Sequence, residues 1–174
     1  MKPAFYDTDC LSCFIVIDDT SILEEQFECI YLPYEVYEEF DRPHIQDLKN
    51  RVDNLIKKGF VKVIKFDTNT EDYLLFMKLS SDYFSDKPIG KGEAAVIVHA
   101  KKHDGIVASN NTKDVLRYVK KYNLERITTG DILIMALENG IISEKEGNAI
   151  WSRMMKWNRW LGEKDFTSYL QKNK

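Results

Sequence analysis

Three acidic residues from distant parts of the chain stand where a carboxylate can do chemistry. Asp7 follows the apolar run Ala4-Phe5-Tyr6 and precedes a helical pattern. If that run is a strand of a parallel sheet, Asp7 lies at its carboxyl end, where such sheets gather ligands. Taken alone, it is equally well an N-cap or turn aspartate. Glu93 opens the pattern "EAAVIVHA". At roughly 100° per residue it shares a face with Val96, Ile97 and Ala100, which bury the helix. A carboxylate at the head of an apolar stripe is costly unless paired, although the helix dipole also favours a first-turn glutamate. In "YEVYEEF", Val36 and Phe40 mark the inward side. Glu38 lies nearly opposite and is solvated. Glu39 lies on the flank, within reach of a site rim, and singly it also reads as a surface acid. Brought together, Asp7, Glu39 and Glu93 repel one another and raise at least one pKa, which a divalent cation resolves. Oxygen donors without cysteine or paired histidine favour magnesium or manganese over zinc.

A second candidate group follows the run Ile106-Val107-Ala108, which stops in Ser109-Asn110-Asn111. Asn111 with Asp114 three residues later forms an N-cap with an acidic partner, close to a capping box. The compatible functional reading gives Asn110 or Asn111 a hydrogen bond to a water on the metal or to a substrate phosphate oxygen, with Asp114 as an outer acid. Lys91, Lys113 and Arg117 flank the inferred site and are candidates for phosphate contact. Each also reads as a solvated helix-surface charge.

The elements that must position these residues alternate along the chain. Strands are expected at 4–6, in "CIYLP", in "FVKVIKF", at 106–108 and near Ile127. Helices are expected from about Asp9, over "YEVYEEF" and "IQDLKNRVDNLIKKG", over "TEDYLLFMKLSSDYF", and at 92–103, 112–121 and 130–139. Alternation of this kind implies an α/β fold, a central parallel sheet covered by helices on both faces. The tail from Ser143 differs. "EKEGNAIWSRMMKWNRWL" reads as one amphipathic helix with Ile150, Met154, Trp157 and Leu161 on one stripe, followed by "DFTSYLQK". The expected organisation is a sheet domain over 1–142 and a helical extension over 143–174 packed on it.

The chain has 174 residues, enough for one domain with a full core. Its net charge of -3 argues against a strongly basic nucleic-acid coat, but metal-binding carboxylates add negative charge of their own. No apolar run approaches the ~20 residues of a membrane span. The acidic residues of "MKPAFYDTDC" break any signal-peptide layout. With three cysteines in a long chain, Cys10, Cys13 and Cys29, the expectation is a cytoplasmic protein with no membrane role.

With these positions located, the chain resembles the PIN-domain nucleases over roughly residues 4–142. "FYDTDCLS" resembles the family's opening strand ending in aspartate. "LPYEVYEEF" resembles its Val-x-x-Glu helix, which selects Glu39. "IGKGEAAVIVHAKKHDGIVASNNTKDV" resembles the Gly-Glu-Ala helix, strand and acidic terminus of the subgroup related to bacterial and archaeal toxin nucleases, and "TTGDILIMALENGII" its closing strand and helix. The resemblance implies a three-layer α/β/α sandwich and a magnesium- or manganese-dependent endoribonuclease for single-stranded RNA, with metal ligands at Asp7, Glu39 and Glu93. It also implies a toxin role with a partner antitoxin protein. The departure lies after the fourth strand, where many members carry aspartate and this chain has Asn110 and Asn111. The alternative is therefore a catalytically weak or inactive PIN-like module that binds RNA or protein.

Three further patterns compete. "CLSC" at a helix start suggests a redox motif, opposed by Asp7 and Asp9, which raise the thiol pKa. His99 and His103 have zinc-ligand spacing, but His99 points away from the apolar stripe and is expected at the surface. Trp151, Trp157 and Trp160 with Arg153, Lys156 and Arg159 read either as a base-stacking surface or, preferred here, as packing onto the sheet domain or onto the mate in a homodimer.

Overall fold

The computed structural model describes residues 1–173. Five short strands form one sheet: Ala4–Tyr6 (β1), Ile30–Pro33 (β2), Val61–Ile64 (β3), Ile106–Ala108 (β4) and Glu125–Ile127 (β5). All neighbours pair in parallel, in the order β3-β2-β1-β4-β5. The central strands β1 and β4 are buried at every residue, as a sheet covered on both faces requires. The edge strands β3 and β5 carry the exposed Lys62 and Glu125, charges that discourage further strand pairing. Helices flank the sheet, giving a three-layer α/β/α sandwich.

One layer is organised by Lys91–Lys102 (α6), which packs on β1, β2 and β4. Against it lie Tyr34–Glu39 (α3), Glu71–Ser80 (α5) and Thr112–Lys121 (α7). A second set is built from Thr8–Val16 (α1), Ser21–Gln26 (α2), Gln46–Lys57 (α4) and Thr129–Glu138 (α8). There α1 packs on α4, and α2 packs on α8. A 3-10 turn at Pro43–Ile45 leads into α4. The short α2 lies outside the helices expected from sequence. Its Ile22, Leu23 and Gln26 are buried, but six residues are too few to display a clear helical period.

The C-terminal segment contains Glu144–Lys156 (α9) and Phe166–Asn173 (α10). It packs on α8 and α1, and Ile150, Trp151, Met154, Leu161 and Phe166 join the main core. The expected single helix through Leu161 does not form. Helix α9 stops at Lys156, and Asn158 takes a left-handed φ of +56°. The chain turns back there, with the Arg159 amide bonded to the Met154 carbonyl at 3.3 Å. Trp157 is consequently 62% exposed instead of continuing the buried stripe. Among the described residues no helix is long and apolar enough to cross a membrane.

His99 also departs from its expected surface position, because it is only 2% exposed. A one-stripe reading fails for α6, where every residue from Ala94 to Ala100 is buried between sheet and helices. The imidazole stacks on Phe66 at 4.1 Å and on Phe5 at 5.9 Å, and neither ring nitrogen has a hydrogen-bond partner. Burial lowers its pKa from 6.5 to about 4; His103 and Lys102 lower it further, and Asp72 opposes them. The unfolded chain therefore binds a proton on His99 at a higher pH than the folded one does. His99 withdraws stability as pH falls from about 6.5 to about 4, by about 3 kcal/mol in all. The expected result for His99→Leu is unchanged or higher stability at pH 7 and a variant-minus-parent difference that grows by about 3 kcal/mol toward pH 4. Denaturant melts of both proteins across this range measure it; a constant difference refutes the assignment.

Candidate active site

The strand order reverses direction at the β1–β4 pair, the switch point at which open α/β sheets form a crevice beyond their strand ends. The register sets Tyr6 opposite Ala108, so the next residues, Asp7 and Ser109, emerge side by side. The Asp7 amide donates to the Ala108 carbonyl at 3.0 Å. Its carboxylate accepts from the Cys10 amide at 2.8 Å, capping α1, and also from the Ser109 hydroxyl. Asp7 is 4% exposed, and no lysine or arginine pairs with it among the described residues. Burial pushes its pKa up to about 7; Asp9 and Glu93 add to the rise, while the Ser109 and Cys10 bonds restrain it.

Glu39 and Glu93 reach the same place from two helices packed on each other. Glu39 is the last residue of α3 and is half-buried. It accepts hydrogen bonds from the Thr8 hydroxyl and the Gly92 amide. Burial raises its pKa and Glu93 raises it further, against the Thr8 bond. The carboxylate fits because residue 92 is glycine: a Cβ there would overlap its oxygen and meet Val36 Cγ2 at 3.3 Å. Glu93, in the first turn of α6, accepts from Asn111 Nδ2 at 3.2 Å. Asp7, Thr8, Asp9, Glu39, Gly92 and Glu93 line one cavity of about 270 Å³.

The amides after β4 have different roles. Asn111 caps α7, its Oδ1 accepting from the Asp114 amide at 3.1 Å. That bond fixes the amide's orientation, so Nδ2 donates to Glu93 and to Asp114 Oδ2 at 3.1 Å. Asn111 thus faces the acidic group as a donor, and Asp114 stands behind it. Asn110 turns elsewhere. Its Oδ1 accepts from the Thr129 amide and its Nδ2 donates to the Thr129 hydroxyl, both at 2.9 Å. Neither oxygen points into the acidic cavity as an open ligand. Lys91 and Lys113 are exposed at the heads of α6 and α7. Arg117 is drawn away, bonding the Lys87 carbonyl at 2.9 Å.

Several supporting residues escaped the sequence reading. Thr8 and Ser109 hold the carboxylates, yet a lone hydroxyl after a strand carries no pattern. Gly92 was legible only as part of a Gly-Glu-Ala motif. Arg126 ties β5 to the site, its Nε bonding the Ser109 carbonyl at 3.1 Å and a terminal nitrogen bonding Thr112 Oγ1 at 3.0 Å. The two buried cysteines are unsuited to redox work: burial raises both thiol pKa values, that of Cys13 to about 11.

The donor set is chemically suited to a hard divalent cation: the carboxylates of Asp7, Glu39 and Glu93, with the more exposed Asp9, line one cavity, supported by hydroxyl and amide groups. Among the described residues, however, no three Asp, Glu, His or Cys side chains are gathered closely enough to hold an ion as they stand. Glu39 is turned to Thr8 and Glu93 to Asn111.

Comparison with curated proteins gives no match. The family model for the PIN domain matches residues 4–174, through both C-terminal helices. On this match, and with the parallel sandwich that accompanies it, the chain belongs to the PIN-domain family, a nuclease-type fold.

Proposed function

We propose that the chain is a magnesium- or manganese-dependent endoribonuclease that cleaves single-stranded RNA. The observation that carries this reading is Asp7: a carboxylate buried at the switch point without a cationic partner among the described residues, on the cavity that Glu39 and Glu93 also line. Asp7 and Glu93 would hold the cation directly, with Glu39 completing the set. Bound there, it would supply Lewis-acid stabilisation of charge building on a phosphodiester and acidify an attacking water. The chain's own residues do the positioning. Thr8 orients Glu39, Ser109 and the Cys10 amide orient Asp7, and the Asn111 amide orients Glu93. The exposed Lys91 and Lys113 lie at helix starts beside this cluster, placed to attract a phosphate backbone. A toxin role, with an antitoxin protein seated near the carboxylates, rests on the resemblance of the "IGKGEAAVIVHAKKHDGIVASNN" segment alone.

A second reading is favoured by one observation. Asn110 and Asn111 spend their side-chain oxygens on Thr129 and Asp114 amides. The segment after β4 then adds no acid to Asp7, Glu39 and Glu93, which suits a module that binds RNA without cutting it. Metal affinity separates the two. Manganese at millimolar concentration raises the melting temperature of the nuclease and leaves that of the binding module unchanged.

Asp7→Asn preserves the cap on α1, because an amide oxygen accepts the same bond. It is expected to remove the manganese-induced rise in melting temperature and to lower metal-dependent cleavage of single-stranded RNA about 100-fold or more. Glu93→Gln is expected to do the same, and undiminished cleavage in either variant removes that residue from the site. Gly92→Ala gives a sharper test. In most helix interiors this change stabilises by about 0.5–1 kcal/mol. Here the new methyl displaces the Glu39 carboxylate, the movable end of a flexible side chain. Stability should stay within about 1 kcal/mol of the parent while cleavage falls at least tenfold. Full activity in a folded Gly92→Ala protein excludes Glu39 from the chemistry.

A further inference from the structure

A second cavity, of about 540 Å³, opens beside the acidic one. Asp9 lines both. Asn111 lines the second while its amide bonds Glu93, which lines the first. The electrostatic character reverses between them. Lys113 and Arg126 line the second cavity, and neither forms an ion pair among the described residues. Arg126 uses only part of its five-donor fork on Ser109 and Thr112. The nearby acids are already engaged: Asp9 lies 3.8 Å from Arg159, and Asp131 accepts from Thr128 and from the Tyr169 hydroxyl. The start of α7 at this wall adds a partial positive charge.

The same cavity is edged by Trp160, whose side chain is largely in water, with the residue 68% exposed. Its neighbour Leu161 is buried and anchors the segment to the core. An exposed indole and two cations on one cavity are the combination that binds single-stranded nucleic acid, a π-face for a base and cations for the adjoining phosphate. The volume falls in the ~300–1,000 Å³ range of small-ligand sites, adequate for one nucleotide.

We propose that this cavity is a nucleotide subsite, in which Trp160 stacks on a base of single-stranded RNA and Lys113 and Arg126 hold the phosphate adjoining the one cleaved over Asp7, Glu39 and Glu93. The subsite rests on the nuclease reading above and names the contacts that seat its substrate. Trp157, also exposed but not on this cavity, has no part in it.

The test is equilibrium binding of a short fluorescein-labelled single-stranded RNA to the full chain in an Asp7→Asn background, where cleavage does not interfere. Trp160→Ala should weaken binding about tenfold or more, the worth of one stacked base. Trp160→Phe should recover most of that loss, and Trp157→Ala should change nothing. Lys113→Ala should lower the log–log salt slope by about 1. Unaltered affinity in Trp160→Ala, with the parent binding RNA, overturns the subsite and leaves the nuclease reading intact. A parent that neither binds nor, with Asp7 restored, cleaves RNA removes both. If Trp160→Ala instead turns a dimer into a monomer without changing RNA affinity, the cavity is a subunit contact and the subsite falls.

Discussion

One buried carboxylate sets the terms for the rest of the molecule. Asp7 is removed from water at the end of a strand, where none of the described residues pairs a cation with it. Its pKa rise from 3.8 to about 7 corresponds to about 4 kcal/mol of unfavourable burial when it is ionised. A fold under selection for stability alone would place an amide or an apolar residue there. What holds Asp7 in place is backbone: its own amide bonded to Ala108, and the first turn of α1 presented to its side chain. The carboxylate therefore cannot turn to water without uncapping α1 and losing the Ser109 hydroxyl. Carboxylates held at such an electrostatic cost cluster at functional sites.

Helix α6 is the second half of the constraint. Gly92, Ala94, Ala95 and Ala100 are small and buried, which lets the helix lie close to the sheet and to α3. That close approach brings the end of α3 over Gly92 and delivers Glu39 to the cavity that Glu93 enters from α6 itself. The three carboxylates share a site because the packing of two helices and a strand brings the backbones that carry them together. The same burial explains His99, an imidazole held neutral in the Ala94–Ala100 stretch, which is buried at every residue.

Much of this was legible in the sequence where a period or a strand end exposes it. The alternation of apolar runs and helical patterns yields the five-strand parallel sandwich, and helical geometry separates the exposed Glu38 from the half-buried Glu39. What was illegible depends on contacts across the chain. Thr8 meets Glu39 and Ser109 meets Asp7 only after folding. His99 looks solvated on a wheel drawn for one apolar face, but α6 is buried at every residue from Ala94 to Ala100. Trp157 fits the periodicity of its neighbours, yet Asn158 reverses the chain first. A local pattern records which face is apolar; it does not record how many neighbours cover a helix or where a left-handed residue ends it.

The paired amides after β4 follow from the same electrostatics. A fourth carboxylate here would join a cluster already strained by Asp7, Glu39 and Glu93. Asn111 keeps the capping role of an aspartate through Oδ1 while turning an amide donor onto Glu93. The substitution exchanges an acceptor charge for a hydrogen bond that lowers the repulsion within the cluster. Asn110 goes further and leaves the cluster, closing the polar groups at the start of α8 against Thr129. On the proposed reading, Asp7, Glu39 and Glu93 balance one divalent cation with one charge to spare, and Asp9, exposed on the same cavity, is offset by Arg159 at 3.8 Å. A second cation would then enter only with the charge of a substrate phosphate. The cationic wall formed by Lys113 and Arg126 lies on the side from which that phosphate would come.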